Sequence, residues 1–210
     1  MKVEENKLIK IDDDSDAAIR FASELFRSGK IFIYPTDTIY GIGGNPFDEK
    51  VISRIVELKS RDESKKFIWL LSDFERVLSY AEIANNDHLE FLNNIWPGPI
   101  TVIVPLNKRT SEIIHQNTIA IRVPQNDFCL KLLNEDSRPL ISTSVNKSGT
   151  EPLTMIDDIV KNFSNEVDAI FFSAKSAEKT SSTIIDLTSE KPKLIREGSI
   201  KFVELLQYFS

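Results

Sequence analysis

The chain has 210 residues, of which 41% are hydrophobic and 28% are charged, a composition that excludes a disordered chain and suits one sizeable hydrophobic core. It carries 26 Lys and Arg against 32 Asp and Glu. The net charge of −6 argues against a surface that coats nucleic acid, although it allows a local basic site.

Short strands and helices alternate along the chain. The first predicted elements are an edge strand at Leu8–Ile11, a helix that Asp14 or Ser15 can cap and Gly29 closes, and a buried strand at Ile31–Tyr34. The later elements are, in chain order, a helix from Asp48 through Leu58, a strand Phe67–Leu71, a helix capped by Ser72 through Tyr80, a helix His88–Trp96, strands Ile100–Val104 and Thr118–Val123, a helix Phe128–Leu133, a strand Leu140–Ser144, a helix through Phe163 with Thr154 and Asp157 as a capping box, strands Ala169–Phe172, Thr183–Leu187 and Lys193–Arg196, and a helix capped by Ser199 to Phe209. Because several strand pairs are joined too tightly for a helical crossover, we predict one α/β domain with a mixed sheet.

Polar residues and glycines are concentrated directly after the strand Ile31–Tyr34. Pro35 ends this strand because proline has no N–H to donate to a neighbouring strand. Three of the seven glycines lie within residues 41–44, and the polar residues before them are Thr36, Asp37, Thr38 and Tyr40. One interpretation is a strand-to-loop connection whose side chains satisfy local backbone donors. The other is a ligand pocket whose floor is formed by backbone without side chains.

Several familiar catalytic patterns are missing from the sequence. It has no G-x-x-x-x-G-K-[ST] phosphate loop and no G-x-S-x-G elbow, and Pro46 replaces the last glycine that a G-x-G-x-x-G pattern starting at Gly41 would need. His88 and His115 are far apart and belong to no His/Cys cluster. A protease, a zinc enzyme and a Rossmann dehydrogenase are therefore poor interpretations, and we predict no metal-ligating residue.

Polar clusters follow the predicted strands and helices at several places. They are Thr36-Asp37-Thr38-x-Tyr40, Lys59-x-Arg61, Arg122 within IRVP, Ser142-Thr143-Ser144-x-Asn146, Ser181-Ser182-Thr183 and Arg196-x-Gly198. Ligands of open α/β sheets bind beyond strand ends, where such loops converge. The four cations in these clusters suit a triphosphate, since arginine makes forked hydrogen bonds to phosphate oxygens.

Each of these charges has a simpler interpretation when it is taken alone. A single Lys or Arg is commonly a solvated surface residue. Lys59 and Arg61 follow a helix whose apolar face is complete at Leu58, so we expect neither in the core, and both could merely complement the helix dipole. If they instead bind phosphates, their removal should leave stability unchanged and lower activity.

Seven motifs, in this order and over nearly the whole chain, resemble the YrdC/TsaC family of L-threonylcarbamoyladenylate synthases, in its short bacterial form. They are PTDTIYG, KSR, WPGPIT, IRVP, STSVNKSG, SSTIIDL and REG. The resemblance implies a single YrdC-like domain over residues 1–210, with a twisted, open sheet and a deep, positively lined groove. It also implies an enzyme, a nucleotidyltransferase that converts L-threonine, bicarbonate and ATP into threonylcarbamoyl-AMP and pyrophosphate.

The resemblance assigns roles to individual residues. For ATP they are Lys59, Arg61, Arg122, Ser144, Asn146 and Arg196, and for threonine Thr36, Thr38, Tyr40 and Ser182. Lys59 and Arg61 would also be the catalytic pair, and Mg²⁺ is expected to arrive with ATP. Two departures from the family pattern, Asp62 and Glu197, add negative charge close to the expected phosphate-binding cations.

The family's product serves tRNA modification, so a tRNA-modifying threonylcarbamoyl transferase complex is the expected partner. Any tRNA binding should be weak and sensitive to salt. The alternatives are a YciO-like paralogue with a different or weaker acyl-adenylate activity, and a non-catalytic RNA-binding module. Because the sequence shows no leader and no apolar run of about 18 residues, we expect a cytoplasmic protein without membrane contact. Cys129 lies in an apolar helical pattern and should be buried.

Overall fold

The computed structural model describes residues 8–60, 62, 67–174 and 180–209. Within these residues ten strands form one sheet, which confirms the predicted mixed α/β fold. The strands are β1 Leu8–Lys10, β2 Phe32–Tyr34, β3 Gly41–Gly43, β4 Ile68–Leu70, β5 Ile100–Pro105, β6 Thr118–Arg122, β7 Leu140–Ser144, β8 Ala169–Phe172, β9 Thr183–Asp186 and β10 Lys193–Arg196. Their order across the sheet is β1-β8-β2-β3-β7-β4-β6-β5-β9-β10. The pairs β1–β8, β8–β2, β4–β6 and β5–β9 are parallel and the others are antiparallel.

Helices flank the sheet on both faces. They are α1 Ser15–Arg27, α2 Glu49–Lys59, α3 Phe74–Leu78, α4 Asn86–Ile95, α5 Lys108–Ile114, α6 Asp127–Asp136, α7 Ile156–Phe163 and α8 Phe202–Leu205, and a 3-10 turn at Leu206–Tyr208 follows the last of them. The predicted caps Asp14 and Asp48 each accept a hydrogen bond from the first turn of their helices, and Gly29 follows α1 with a φ of 65°.

Three other predicted caps are wrong. Helix α3 is capped by Asp73 and not by Ser72, because the Asp73 carboxylate accepts the amide N–H of Arg76. The Thr154–Asp157 capping box does not form, since Met155 is the N-cap of α7 and makes no side-chain bond. Lys201, not Ser199, precedes the final helix, which is a single turn followed by the 3-10 turn.

Two elements, β3 and α5, were not predicted. Strand β3 has the sequence Gly-Ile-Gly because the Tyr34 ring crosses it: a Cβ at Gly43 would lie 2.9 Å from that ring and 2.0 Å from the carbonyl oxygen of Ile141. The Tyr34 hydroxyl passes over the strand and donates to this carbonyl at 2.8 Å. The glycines therefore allow β2 to be tied to β7 across β3.

Three hydrophobic clusters leave part of one sheet face uncovered. One face of β4, β6 and β5 packs under α3 and α4, around Trp69 and Phe91. Near one end of the opposite face, α1 and α6 cover Tyr34 and Leu70, and the buried Cys129 of α6 lies there as predicted. A third cluster joins α2 and α7 to β2, β3 and β8 around Ile42. On the face that α1 and α6 cover, their cluster includes no described residue of β5, β6 or β9, and alternate residues of these strands line a cavity.

Candidate active site

The uncovered face forms the floor of a cavity of about 500 Å³. Side chains alternate between the two faces of a strand, so paired residues on neighbouring strands form rows across the sheet. The strand pairing aligns one such row, and all five of its members line the cavity: Ser142, Ile68, Ala120, Ile103 and Asp186. The sheet thus provides a largely apolar floor with a polar residue at each end.

Six of the ten predicted site residues line this one cavity. They are Thr38, Tyr40, Arg122, Ser144, Ser182 and Arg196. Thr36, Lys59 and Asn146 lie behind the wall, in contact with residues that form it. Arg61 lies outside the described residues. The structure therefore brings together side chains from five separate polar clusters of the sequence.

Arg122, at the end of β6, is a buried cation. Its side chain is 4% exposed, and its Nη1 donates to the Thr38 hydroxyl at 2.8 Å. Its Nη2 lies 3.5 Å from the Asp37 carboxylate, which is 8% exposed and makes no described hydrogen bond. Asp37 supplies the opposite charge that a buried guanidinium requires.

Thr36 shapes the loop, and Thr38 faces the cavity. The Thr36 hydroxyl donates to the carbonyl of Ile39 at 2.8 Å, accepts the amide of Thr38 at 3.0 Å, and lies 2.9 Å from the Thr38 hydroxyl. The loop therefore combines the two predicted interpretations. Thr36 satisfies local backbone groups, as in a strand-to-loop connection, while Thr38 and Tyr40 line the cavity. Burial raises the pKa of Tyr40, while a hydrogen bond from the Ser173 backbone partly offsets this rise.

A second arginine meets the cavity from β10. Arg196 Nη2 donates to the carbonyl of Ser182 at 2.8 Å and lies 3.3 Å from its hydroxyl. The Ser182 hydroxyl is also 2.9 Å from that of Thr101. The chain can pass this close because Gly198 has no side chain: a Cβ there would lie 2.2 Å from the carbonyl oxygen of Ser181.

The two guanidinium groups repel each other. Partial burial of Arg196 lowers its pKa from the usual value, and the nearby charge of Arg122 lowers it further. An anion between the two groups would relieve this repulsion. The arrangement therefore favours a negatively charged ligand over the apolar floor.

Lys59 is buried, which contradicts the expectation that it lies outside the core. Its side chain is 3% exposed, and its ammonium donates to the carbonyls of Ser144 and Asn146 and to Asn146 Oδ1, the last two at 2.9 and 3.0 Å. The Ser144 hydroxyl donates to the same Asn146 oxygen at 2.6 Å. Lys59 thus ties the end of α2 to the end of β7 and to the turn that follows it, and Ser144 at this end of β7 lines the cavity.

Glu197, one of the two departures from the family pattern, has a structural role. Its carboxylate accepts the amide of Phe202 at 3.1 Å in the first turn of α8. A carboxylate is stabilised at a helix N-terminus, where backbone N–H groups lack partners. This contact compensates for the absence of a side-chain cap on α8. Asp62, the other departure, is a described residue outside every helix and strand.

Sequence reasoning missed the apolar floor and one carboxylate at its edge. The missed residues include Ile68, Ile103, Ala120, Ile184 and Asp186. Alternation along β6 and β9 was the available signal, because every second residue faces the same side of a sheet. The described residues hold no group of three or more His, Cys, Asp or Glu side chains able to bind a metal ion. Among the described helices, none has the length and apolar character needed to cross a membrane.

Comparison with known proteins identifies relatives of both long and short form. The chain is 31% identical over 189 residues to a threonylcarbamoyl-AMP synthase from Pyrococcus abyssi, covering 89% of this chain and 56% of the relative. It is similar to the crystal structure of P. abyssi Sua5 complexed with L-threonine, with a TM-score of 0.84 and 30% identity over 92% of this chain and 57% of that one. The chain thus spans little more than half the length of these relatives.

E. coli YciO matches over nearly its full length. Its crystal structure gives a TM-score of 0.84 and 26% identity, over 97% of this chain and 98% of that one. The family model Sua5/YciO/YrdC, described as telomere recombination, matches residues 24–198. By this match, which includes every predicted site residue, the chain belongs to the Sua5/YciO/YrdC family.

Proposed function

We propose that the protein is a threonylcarbamoyl-AMP synthase, an enzyme of the nucleotidyltransferase class that converts L-threonine, bicarbonate and ATP into threonylcarbamoyl-AMP and pyrophosphate. One observation carries the proposal. Two arginines and two hydroxyls, from Arg122, Arg196, Thr38 and Ser182, converge over an apolar floor in a chain 31% identical to a protein of that name. The anions of this reaction need cations, and threonine needs hydroxyl partners and an apolar wall for its methyl group.

The threonine end of the cavity would be formed by Thr38, Tyr40 and Ser182, with Thr36 behind Thr38. Hydroxyl groups can both donate to a carboxylate and accept from an amine or hydroxyl, so this set suits an amino acid. The hydrogen bonds that Thr36 and Thr101 make behind the cavity fix the directions of the Thr38 and Ser182 hydroxyls. Such fixed partners reduce the entropy lost when the substrate binds.

The nucleotide end would be formed by Ser144 and Asn146 with Lys59 behind them, and Arg61 is proposed as a further phosphate-binding residue. Arg122 and Arg196 contact Thr38 and Ser182, so these two cations would lie where the threonine carbamate meets the α-phosphate. They would neutralise charge there as the reaction proceeds. Mg²⁺ would enter as part of the ATP substrate, bound to its phosphates.

The chemistry needs no covalent enzyme intermediate. The neutral amine of threonine forms a C–N bond to the carbon of bicarbonate, with loss of water, and gives a carbamate. A carbamate oxygen then bonds to the α-phosphorus as the bond from that phosphorus to the β-phosphate oxygen breaks, and pyrophosphate leaves. The cavity would contribute alignment and charge neutralisation, which together supply much of the rate enhancement in transfers of this kind. Cys129 has no part in this scheme, because burial raises its pKa and suppresses the thiolate.

Pyrophosphate release tests the proposal directly. We expect turnover only when threonine, bicarbonate and MgATP are all present, and we expect serine to replace threonine weakly, since one methyl contact contributes only about 1 kcal/mol. The assay should be run across the twenty amino acids. Equal turnover without any amino acid would indicate a general nucleotidase. Turnover with a different amino acid in place of threonine would favour a paralogue of the YciO type.

The proposed cellular role is the supply of activated threonine for tRNA modification in the cytoplasm. A threonylcarbamoyl transferase complex would consume the product, and the net charge of −6 leads us to expect weak tRNA binding that falls steeply with salt. Tight, salt-insensitive tRNA binding without pyrophosphate release would instead favour a non-catalytic RNA-binding module. Filter binding at two salt concentrations distinguishes these outcomes.

A further inference from the structure

A second cavity, here called the back cleft, opens on the sheet face opposite the first. It has a volume of about 480 Å³, and the central strands β7, β4 and β6 form its floor through Ile141, Trp69 and Ile119. One side is α2 and the other is the end of α5, residues 113–116. The cleft lies at the border between two hydrophobic clusters, because Ile141 belongs to the α2–α7 cluster and Trp69 to the α3–α4 cluster.

The walls of the back cleft are predominantly apolar and partly open to solvent. Phe47 is 36% exposed and Ile113 is 56% exposed, and both line the cleft. The Phe47 ring stands nearly edge-on to Trp69, with the ring centroids 5.3 Å apart. Covering such surfaces with an apolar ligand removes them from water, which is favourable. The volume and the aromatic walls match those of small-molecule sites.

Two polar side chains, Gln116 and Glu49, restrict the chemistry of the ligand. Gln116 lines the cleft, and its Oε1 is a buried acceptor without a hydrogen-bond partner among the described residues. Gln116 as a whole is partly exposed although its Oε1 is buried, so the amide would rotate to present this oxygen to a ligand in the cleft. His115 has a φ of 53°, a conformation that few residues other than glycine adopt, and it directs the chain from α5 toward Gln116. Glu49 provides a carboxylate at the rim, and the described lining includes no Lys or Arg.

We propose that the back cleft is a second ligand site, for a small aromatic amine whose ring lies against Trp69 and Phe47. The ring would fill the apolar floor, an N–H group would reach Gln116 Oε1, and a positive charge would be attracted to Glu49. Phe67 lines both the back cleft and the candidate active-site cavity, so ligands of the two sites would share one wall. This proposal does not rest on the proposed synthase activity.

The test measures binding of tryptamine by ¹H–¹⁵N NMR titration of the full chain. We expect a Kd of about 1 mM or tighter, as suits a ligand of this size, with shifts concentrated at Trp69 and Gln116. Indole-3-propionate has the same ring with the opposite charge and should bind at least ~10-fold more weakly.

Two variants locate the site. Ile113→Arg places a cation on the exposed rim and should abolish tryptamine binding, while Gln116→Leu keeps the size but removes the acceptor and should weaken it at least ~5-fold. Val203→Arg, at a residue of α8 that is 70% exposed, is the matched control and should bind as the parent does. The proposal is overturned if tryptamine causes no shifts at 5-fold above the expected Kd, if it shifts residues away from the cleft, or if Ile113→Arg binds it normally.

Discussion

Replacing Lys59 with methionine separates two accounts of this residue. In the structure its ammonium donates to three oxygens at the end of β7 and in the turn after it, and the residue is 3% exposed, so it holds that turn in place. Methionine has a similar length and is apolar, so it preserves packing while removing all three hydrogen bonds. The oxygens of Ser144 and Asn146 would then be left without this partner.

The expected loss of stability follows from these contacts. A hydrogen bond to a charged group contributes about 1.5–3 kcal/mol, and three such bonds are lost. Two of the acceptors keep another donor, the Asn146 amide for Ser144 O and the Ser144 hydroxyl for Asn146 Oδ1, and methionine adds apolar contacts, so we expect a net loss of about 3 kcal/mol. In a domain of roughly this size, such a loss lowers the melting temperature by about 6–12 °C. Pyrophosphate release should fall as well, because Ser144 and Asn146 lose their support.

A neighbouring lysine provides the matched control. Lys147 lies in the same turn and donates to a single carbonyl, that of Leu58, from an exposed position. Lys147→Met should therefore cost only about 0.5–1 kcal/mol. Thermal melts of both variants beside the pyrophosphate assay make the comparison. If Lys59→Met melts with Lys147→Met and the parent, yet loses turnover, then Lys59 contacts phosphate directly and the account in which it holds the turn in place is refuted.

Three further substitutions test the surroundings of the site. Asp37→Asn leaves the buried Arg122 guanidinium without its carboxylate, and urea denaturation should show a loss of about 3 kcal/mol. Gly43→Ala places a Cβ 2.0 Å from the carbonyl oxygen of Ile141, so β3 and β7 must separate, and the same measurement should show a loss of more than about 2 kcal/mol. Burial alone would raise the pKa of Asp136, but hydrogen bonds from two arginines hold it below 3.8. Its ionised form therefore adds stability that is complete above pH 3.8 and is lost as the pH falls through the lower folded pKa, and Asp136→Asn should remove this part of the acid dependence in unfolding curves recorded from pH 6 to 2.

Two milder substitutions serve as controls for these variants. Asp13→Asn removes an exposed carboxylate paired with Lys10 and should cost less than about 1 kcal/mol. A Cβ at Gly41 would lie no closer than 3.0 Å to any atom that this residue faces, the nearest being the Ser142 hydroxyl, so Gly41→Ala should lower the free energy of unfolding less than Gly43→Ala does. Equal losses in Asp37→Asn and Asp13→Asn would contradict the buried ion pair. An unchanged acid transition in Asp136→Asn would contradict the role given to that carboxylate.

The sequence predicted the elements whose pattern is local. Strand β7 and helix α1 carry clear apolar periodicity and were located to within a few residues. Strand β3 carries no such pattern, because its glycines exist to accommodate Tyr34 from a neighbouring strand. Helix α5 was missed because most of its side chains are polar or exposed. Elements whose reason lies in tertiary contacts cannot be recognised from a short window.

The site shows the same division between local and distant causes. The polar clusters at the ends of strands converge as expected, since strand ends share a sheet edge. The burial of Lys59 was mispredicted because its partners at residues 144 and 146 are more than eighty residues away in sequence. The apolar floor was missed because Ile103 and Ile184 resemble ordinary core residues until the structure shows that they line a cavity.

Transfer of carbon from bicarbonate tests the central claim most directly. With ¹³C-bicarbonate, L-threonine and MgATP, we predict an enzyme-dependent product in which the labelled carbon joins the threonine nitrogen to AMP, detected by ¹³C NMR and mass spectrometry. The label should be absent from this product when threonine is omitted, and Arg122→Ala should reduce its formation at least ~30-fold, the effect of losing a charge-assisted contact. Release of pyrophosphate without any labelled adenylate would contradict the proposed synthase.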